Sequence, residues 1–405
     1  MNAAAPAVIL RLVPDRLHYG AVAAVRTLGR LGVRVYAVDD ERRPLPRWSR
    51  FSAGVVSLDG ASAPADAVAV LLDLAERLDE KPILIAFDDV AALAVDRHAD
   101  ELGARYVFPR QPPGLVPQLL NKWEMSKLAD DHGIPTPASS RAHSDGEAEE
   151  LLARLDYPLV FKGAESYIPG TSERADLLVV ADKEEALAAY RAMAPGERAN
   201  VMFQEYIPGS AEAIWMFNGY FDSDSVCRVC FTGQKLRQWP PATGATSLGI
   251  AIPNEEVAEL TKRFMREIGY RGVLDIGYRY DARDGLYKVL DVNPRVGSTF
   301  RLFVDDETGV DVVRALYLDL TGQEIPAAKH PRSRKWIVED RDVRASLAHR
   351  RQSGLGTREW VRSLRGTDES AWFALTDPAP FAAMLARVAR AAARRARRRV
   401  VERQR

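Results

Sequence analysis

An α/β fold is predicted for this chain by three features of its 405 residues. Short aliphatic runs alternate with helix-period stretches over the first hundred residues. A proline cluster then spans 109–117. Further on, two apolar runs flank a turn at 281–285. The alternation predicts a small parallel sheet with helices on its faces, the prolines a linker, and the paired runs an antiparallel hairpin. The expected domains are a small α/β unit at 1–113, a larger α+β unit at 118–325 and a C-terminal helical extension at 326–405.

Composition narrows the class. The chain is 47% hydrophobic and carries 56 basic against 56 acidic residues, so it is globular and has no net charge to favour nucleic acid as a partner. Two cysteines, no signal-like start and no apolar run of roughly 18 residues predict a cytoplasmic protein that does not span a membrane. Only ten of the 56 basic residues are lysines. A lysine at a candidate anion position is therefore less easily accidental than an arginine.

In the first domain, strands are expected at 7–13, 33–39, 82–87 and 105–108, with a helix at 21–31. The turn after the first strand, PDRLHYG, lacks the Gly-rich phosphate fingerprint, which argues against a dinucleotide site. Asp88 and Asp89 follow a buried-looking strand. They stand either at the ligand-binding end of the sheet or at a helix N-cap, and both readings stay open.

Past the linker, Asn121 and Lys122 open a helix that GIPTP stops near 133–137. On its own Lys122 reads as a solvated helix residue. Tyr157 to Lys162, YPLVFK, is a strand ending in a lysine among apolar neighbours, and such an ammonium needs an anion to offset its desolvation. GAESYIPGTSER follows, with hydroxyls at Ser166, Thr171 and Ser172. It has the make-up of a lid over phosphates or of a plain surface loop.

FQEYIPG at 203–209 is an edge strand broken by Pro208 and Gly209, and its unpaired backbone groups suit a ligand. Glu212 beyond it reads either as a binding residue or as a charge that guards an edge. Lys235 and Arg237 precede a Gly/Thr/Ser loop without acidic residues. They would bind phosphate or an acidic substrate, or form a solvated strand end. Cys227 and Cys230 are expected to point to opposite faces of a strand and to be core thiols, since no second pair completes a metal site.

The hairpin carries the sharpest signal, in the stretch GVLDIGYRYDARDGLYKVLDVNPR. With a symmetric five-residue loop, Tyr280 faces Leu286 and Asp275 lies opposite Asp291, with Asn293 next on the same face. Two facing carboxylates repel unless a cation lies between them, and an oxygen-only set favours Mg²⁺ or Mn²⁺. Pro294 ends the ladder and delivers Arg295 beside this cluster.

Asp291-Val-Asn-Pro-Arg295 resembles the acidic-x-Asn-Pro-Arg signature of the ATP-grasp ligases. The order of the other motifs resembles the same family: lysine, helix, Gly-Pro, strand lysine, flexible loop, Gln-Glu-Tyr-Ile, hairpin. The resemblance covers roughly 118–323. It implies two lobes, about 118–205 and 206–325, preceded by a small α/β domain that lines the substrate cleft. It also implies ATP with Mg²⁺ or Mn²⁺ held by Asp291 and Asn293, phosphates on Lys122 and Lys162, and adenine at the Glu205, Tyr206 and Ile207 hinge. Glu212 would meet the ribose, while Lys235, Arg237 and Arg295 would act at the reacting groups. The family usually carries an acid at the position of Gly277, so Asp275 is the replacement expected here. The implied chemistry is carboxylate–amine ligation through an acyl phosphate, with amino acids or peptides as substrates and D-aspartate-type ligases as the nearest kind. A phosphotransferase and a non-catalytic nucleotide-binding protein are the alternatives, and homodimerisation stays open.

After Phe300 the pattern weakens. Trp336, Trp360 and Trp372 in a charged background predict an appended subdomain. The chain ends in an Ala/Arg helix with nine arginines after Leu385 and one acidic residue. A solvated tail, dispensable for chemistry, is expected; attachment to an anionic membrane or to nucleic acid is the alternative.

Overall fold

The computed structural model describes residues 2–13, 17–39, 43–58, 64–165, 177–241, 244–352 and 356–403. The expected lid residues Ser166, Thr171 and Ser172 lie outside these.

The N-terminal strands are β1 (Ala7–Arg11), β2 (Val35–Asp39), β3 (Ser52–Ser57) and β4 (Ile83–Ala86). They form a parallel sheet in the order β3-β2-β1-β4. All of β1 is buried, as a strand covered by helices on both faces must be. The chain order reverses direction between β1 and β4, and their C-terminal ends open toward the rest of the molecule. β3 escaped the sequence reading because its six residues are mixed in polarity and only partly buried. The strand expected at 105–108 makes a single bridge, from Val107 to Ile83.

A second, antiparallel sheet contains β5 (Ser139–Ser140), β6 (Leu159–Gly163), β7 (Leu178–Val180) and β8 (Val201–Glu205), in the order β5-β8-β6-β7. The helix Lys122–Asp131 leads toward it, its first amides capped by the side chain of Asn121.

The third and largest sheet holds seven strands. These are β9 (Ile214–Phe221), β10 (Cys227–Trp239), β11 (Ala245–Ala251), β12 (Gly272–Asp281), β13 (Leu286–Asn293), β14 (Arg334–Ile337) and β15 (Thr367–Ser370). Their order is β13-β12-β9-β10-β11-β14-β15. The expected boundary at 325 is therefore corrected. β14 and β15 continue the sheet beyond β11, because an unpaired β11 edge would expose a row of amides. Trp336 and Trp372 are core residues packed around Tyr19 of the N-terminal domain, and one core joins residues of all three expected units.

The Ala/Arg helix runs Ala379–Arg403. Its first turns are not a solvated tail: Met384 is buried, with Phe381 and Val388 packed on the same core. Just before it, buried Asp377 accepts from Arg26 Nε at 2.9 Å and from Ser49 Oγ at 2.7 Å.

Candidate active site

A cleft of about 360 Å³ separates the small antiparallel sheet from the seven-stranded one. Its walls bring together Lys122, Lys162, Lys235, Asp291 and Asn293, the hinge residues Glu205, Tyr206 and Ile207, and Asp89 from the N-terminal domain. Thus β6 contributes one lysine, β10 a second and a helix N-terminus a third, facing the oxygen ligands of β13.

The lysines are held at an electrostatic cost. Lys162 is 4% exposed and donates from Nζ to Gln204 Oε1 at 2.8 Å. Burial, and then repulsion from Lys122, pushes its pKa down to about 7, with Asp291 pulling the other way. Burial likewise lowers Lys235, opposed by Asp291 and Asp275, and its Nζ donates to Gly244 O at 3.1 Å. Lys122 is fixed through its backbone, whose N–H donates to Ala164 O at 2.7 Å. Buried ammonium groups set against so few acids call for phosphate-like charge.

The hairpin register differs from the expected one. Asp281 pairs with Leu286 and Tyr280 with Tyr287, so the turn is one residue shorter than a symmetric five-residue loop. A β-bulge at Leu290 then adds a second slip, so that Gly277 faces Asp291 and Asp275 faces Asn293. Two slips of one residue keep the parity, and Asp275, Asp291 and Asn293 remain on one face. Asp291 occupies the space over Gly277: a Cβ there would lie 2.5 Å from Asp291 Oδ1. That is the physical reason for glycine at this position. Asp275 sits behind the cleft wall, its carboxylate against Gly297 and 3.5 Å from Asn218 Nδ2. Burial lifts its pKa to about 6, against the pull of Arg295.

A chain of polar contacts links the hairpin to the N-terminal domain. Asn293 Nδ2 donates to Asp291 Oδ2 at 2.8 Å, Arg295 Nη2 to Asn293 Oδ1 at 3.0 Å, and Arg295 Nε to Asp89 Oδ1 at 2.7 Å. The N-cap reading of the Asp88-Asp89 pair holds for its first residue only. Asp88 caps the helix Asp89–Arg97 through Ala91 N–H at 2.8 Å, while Asp89 turns into the cleft.

Four expected residues do not line the cleft: Asp275 stands behind its wall, Arg295 lines a separate pocket against the N-terminal domain, and Arg237 and Glu212 lie elsewhere. Arg237 points away, because a β-bulge at Leu236 reverses the face of β10 after Lys235. It makes a buried bidentate pair with Asp342 at 2.7 and 3.0 Å. Gln238 takes the cleft position in its place. Glu212 is exposed, in the short turn Ala211–Ala213, and does not line the cleft. Of the hinge, Glu205 uses its carboxylate on Arg283, on Lys288 at 3.6 Å and on the Ala138 N–H at 3.2 Å. Pairing of β8 stops at Glu205, which leaves the next backbone groups outside any ladder.

Sequence reasoning missed Arg279, which lines the cleft, donates to Gly209 O at 2.7 Å and has a buried Nε–H without an acceptor among the described residues. The signal was available, since Arg279 has the same parity on β12 as Asp275. Gln204, the partner of Lys162, was missed as well.

The donor set suits Mg²⁺. Among the described residues no three His, Cys, Asp or Glu side chains cluster to form an all-protein metal cage. The carboxylate of Asp291 and the amide of Asn293 stand side by side and face a cleft lined with cations. This ion takes one or two protein oxygens and completes its shell with phosphate and water.

Three sheets in this arrangement, with the cleft between the small antiparallel sheet and the large one, are the ATP-grasp fold. An L-amino acid ligase from Bacillus licheniformis superposes with a TM-score of 0.59 at 16% identity, over 78% of this chain and 74% of that one. The ADP complex of purK, an N5-carboxyaminoimidazole ribonucleotide synthetase, superposes with a TM-score of 0.62 at 13% identity, over 82% and 80%. In sequence the chain is similar to the D-aspartate ligase of Enterococcus faecium (strain Aus0004). The two are 27% identical over 228 residues, which cover 54% of each. The chain thus spans about half the length of that relative. It is also 22% identical, over 282 residues, to the C-terminal section of the carbamoyl phosphate synthase large chain of Methanocaldococcus jannaschii. No family model matches. No helix among the described residues is long and apolar enough to cross a membrane.

Proposed function

We propose that the chain is an ATP- and Mg²⁺-dependent carboxylate–amine ligase that forms an amide through an acyl phosphate and releases ADP and phosphate. The observation that carries this reading is one cleft in which Lys122, Lys162 and Lys235 face Asp291 and Asn293, with Arg295 bridging to Asp89 of the N-terminal domain.

Adenine lies against Tyr206 and Ile207, where backbone groups read its edge. The lysines neutralise the β- and γ-phosphates and hold them in line for attack by a substrate carboxylate. Asp291 and Asn293 would hold Mg²⁺, which when bound would supply further neutralisation of the charge on the departing γ-phosphoryl group. Arg295 is fixed at both ends, so its guanidinium meets the acyl phosphate without reorganising. Asp275 stands behind and balances Arg295 and Lys235. An amine then displaces phosphate from the acyl carbon. The similarity to a D-aspartate ligase favours an amino acid as one substrate, and a cytoplasmic setting suits the ATP requirement.

The test is phosphate release by purified protein with ATP, Mg²⁺ and pairs of amino acids. With the acid alone, hydroxylamine should trap a hydroxamate. AMP as the nucleotide product would overturn the mechanism, and a stable phosphorylated product without an amine would make the protein a phosphotransferase.

A further inference from the structure

The strand that carries Lys235 begins with two cysteines, and their placement departs from the sequence expectation. On a regular strand residues three apart face opposite sides. In β10, however, Cys227 pairs with Phe221 and Val229 with Tyr220, so Arg228 is the extra residue of a β-bulge. Cys230 then pairs with Gly219, which has the parity of Phe221. Packing agrees: Cys227 and Cys230 both lie against the core under the helix Glu255–Glu267, whereas Val229 and Phe231 belong to the core on the other side. Both thiols are only partly buried, and Cys227 Sγ donates to Val229 O at 3.5 Å. Lys262, from that helix, is paired with Glu259 at 2.8 Å and sets its charge beside Cys230. The neighbouring Cys227, and then the charge of Lys262, favour the thiolate at Cys230, while Cys227 is held in its thiol form.

We propose that Cys227 and Cys230 form a thiol–disulfide exchange site whose co-substrate is a low-molecular-weight disulfide. The Cys230 thiolate attacks one sulfur of that disulfide, forming a mixed disulfide and expelling one thiolate. Cys227 gives its proton to solvent and attacks the Cys230 sulfur. The Cys227–Cys230 bond forms as the mixed disulfide breaks and the second thiolate leaves. The protein dithiol loses two electrons, and the external disulfide gains them as two thiols. Nucleophile and resolving group follow from position, since the lysine lies at Cys230 and the neighbouring thiol at Cys227. The bulge matters because without it the two sulfurs would be separated by the sheet.

The site is independent of the proposed ligase activity and is tested without it. The full chain is incubated with glutathione disulfide, quenched with acid, denatured and alkylated, then read by intact and peptide mass. The expected result is loss of both alkylatable thiols and a peptide carrying an internal disulfide. Cys227→Ser should stop at a glutathione adduct on Cys230, Cys230→Ser should react more slowly, and Lys262→Met should slow the wild-type reaction. The far-ultraviolet circular dichroism of each variant checks that it is folded, and the wild-type result stands without the variants. Two alkylated thiols after prolonged exposure, or a stable glutathione adduct on the unaltered chain, would overturn the proposal.

Discussion

Replacing Lys162 with methionine should separate what the cleft costs the empty protein from what it offers a nucleotide. Its pKa falls from 10.5 to about 7, which puts the penalty for holding the ammonium there on the order of 5 kcal/mol. In the empty protein about half of Lys162 is charged at pH 7 and about a tenth at pH 8. Phosphates set against it restore the charge, so nucleotide binding should take up a proton, and more of one at pH 8 than at pH 7. Calorimetric titration with MgADP, in buffers of different ionisation enthalpy, measures that uptake. The Lys162→Met protein supplies the baseline, because protons released by the nucleotide itself occur in both. The stability of the empty protein adds a second readout. Between pH 7 and 10.5 the unfolded chain binds more protons at this residue than the folded one, so the penalty fades as pH rises. Lys162→Met should therefore raise Tm at pH 7 and have less effect toward pH 10. Proton uptake equal in the two proteins, or uptake that shrinks from pH 7 to 8, would refute the assignment of Lys162 to the phosphates.

Other expectations follow from the same geometry. Gly277→Ala should fold, because the atom it meets is the end of the Asp291 side chain. It should displace that carboxylate and weaken Mg²⁺-dependent ADP binding by about 10- to 100-fold, read by calorimetry with and without the ion. Asp291→Asn should abolish turnover with the melting curve retained. Arg237→Ala leaves Asp342 buried without its cation and should cost about 3–5 kcal/mol in urea unfolding, while ADP affinity of the folded protein is unchanged. Truncation after Arg390 should be tolerated, whereas truncation after Asp377 removes Met384 from the core and should cost on the order of 2–5 kcal/mol or prevent folding.

What could be read from the sequence was parity and order; what could not was local irregularity. The face shared by Asp275, Asp291 and Asn293 followed from counting in twos, and it survived because a shorter turn and a bulge cancelled in parity. On β10 single bulges at Arg228 and Leu236 did not cancel. Each turned one expected residue to the other face, Cys230 and Arg237 respectively. A bulge is one residue without a ladder partner, and nothing in side-chain type marks it in these stretches. Segment order placed Lys122, Lys162 and Lys235 on separate elements, and the structure sets all three in one cleft. The C-terminal strands were missed for another reason. Arg334–Ile337 and Thr367–Ser370 have four residues each, too few for an alternating pattern, and the parallel pairing between them skips a helical stretch.

The buried bond from Arg26 to Asp377 spans 351 positions of the chain. With β14 and β15 it means that neither the packing of the N-terminal domain nor the seven-stranded sheet can be completed until residues well past 370 have left the ribosome. Such sequence separation predicts slow folding, and a nascent chain whose β11 edge stays open to other strands for much of its synthesis. A holding chaperone acting on that edge would raise the yield of folded protein more than one acting on the early parallel sheet, whose strands β1 to β4 lie within the first 86 residues.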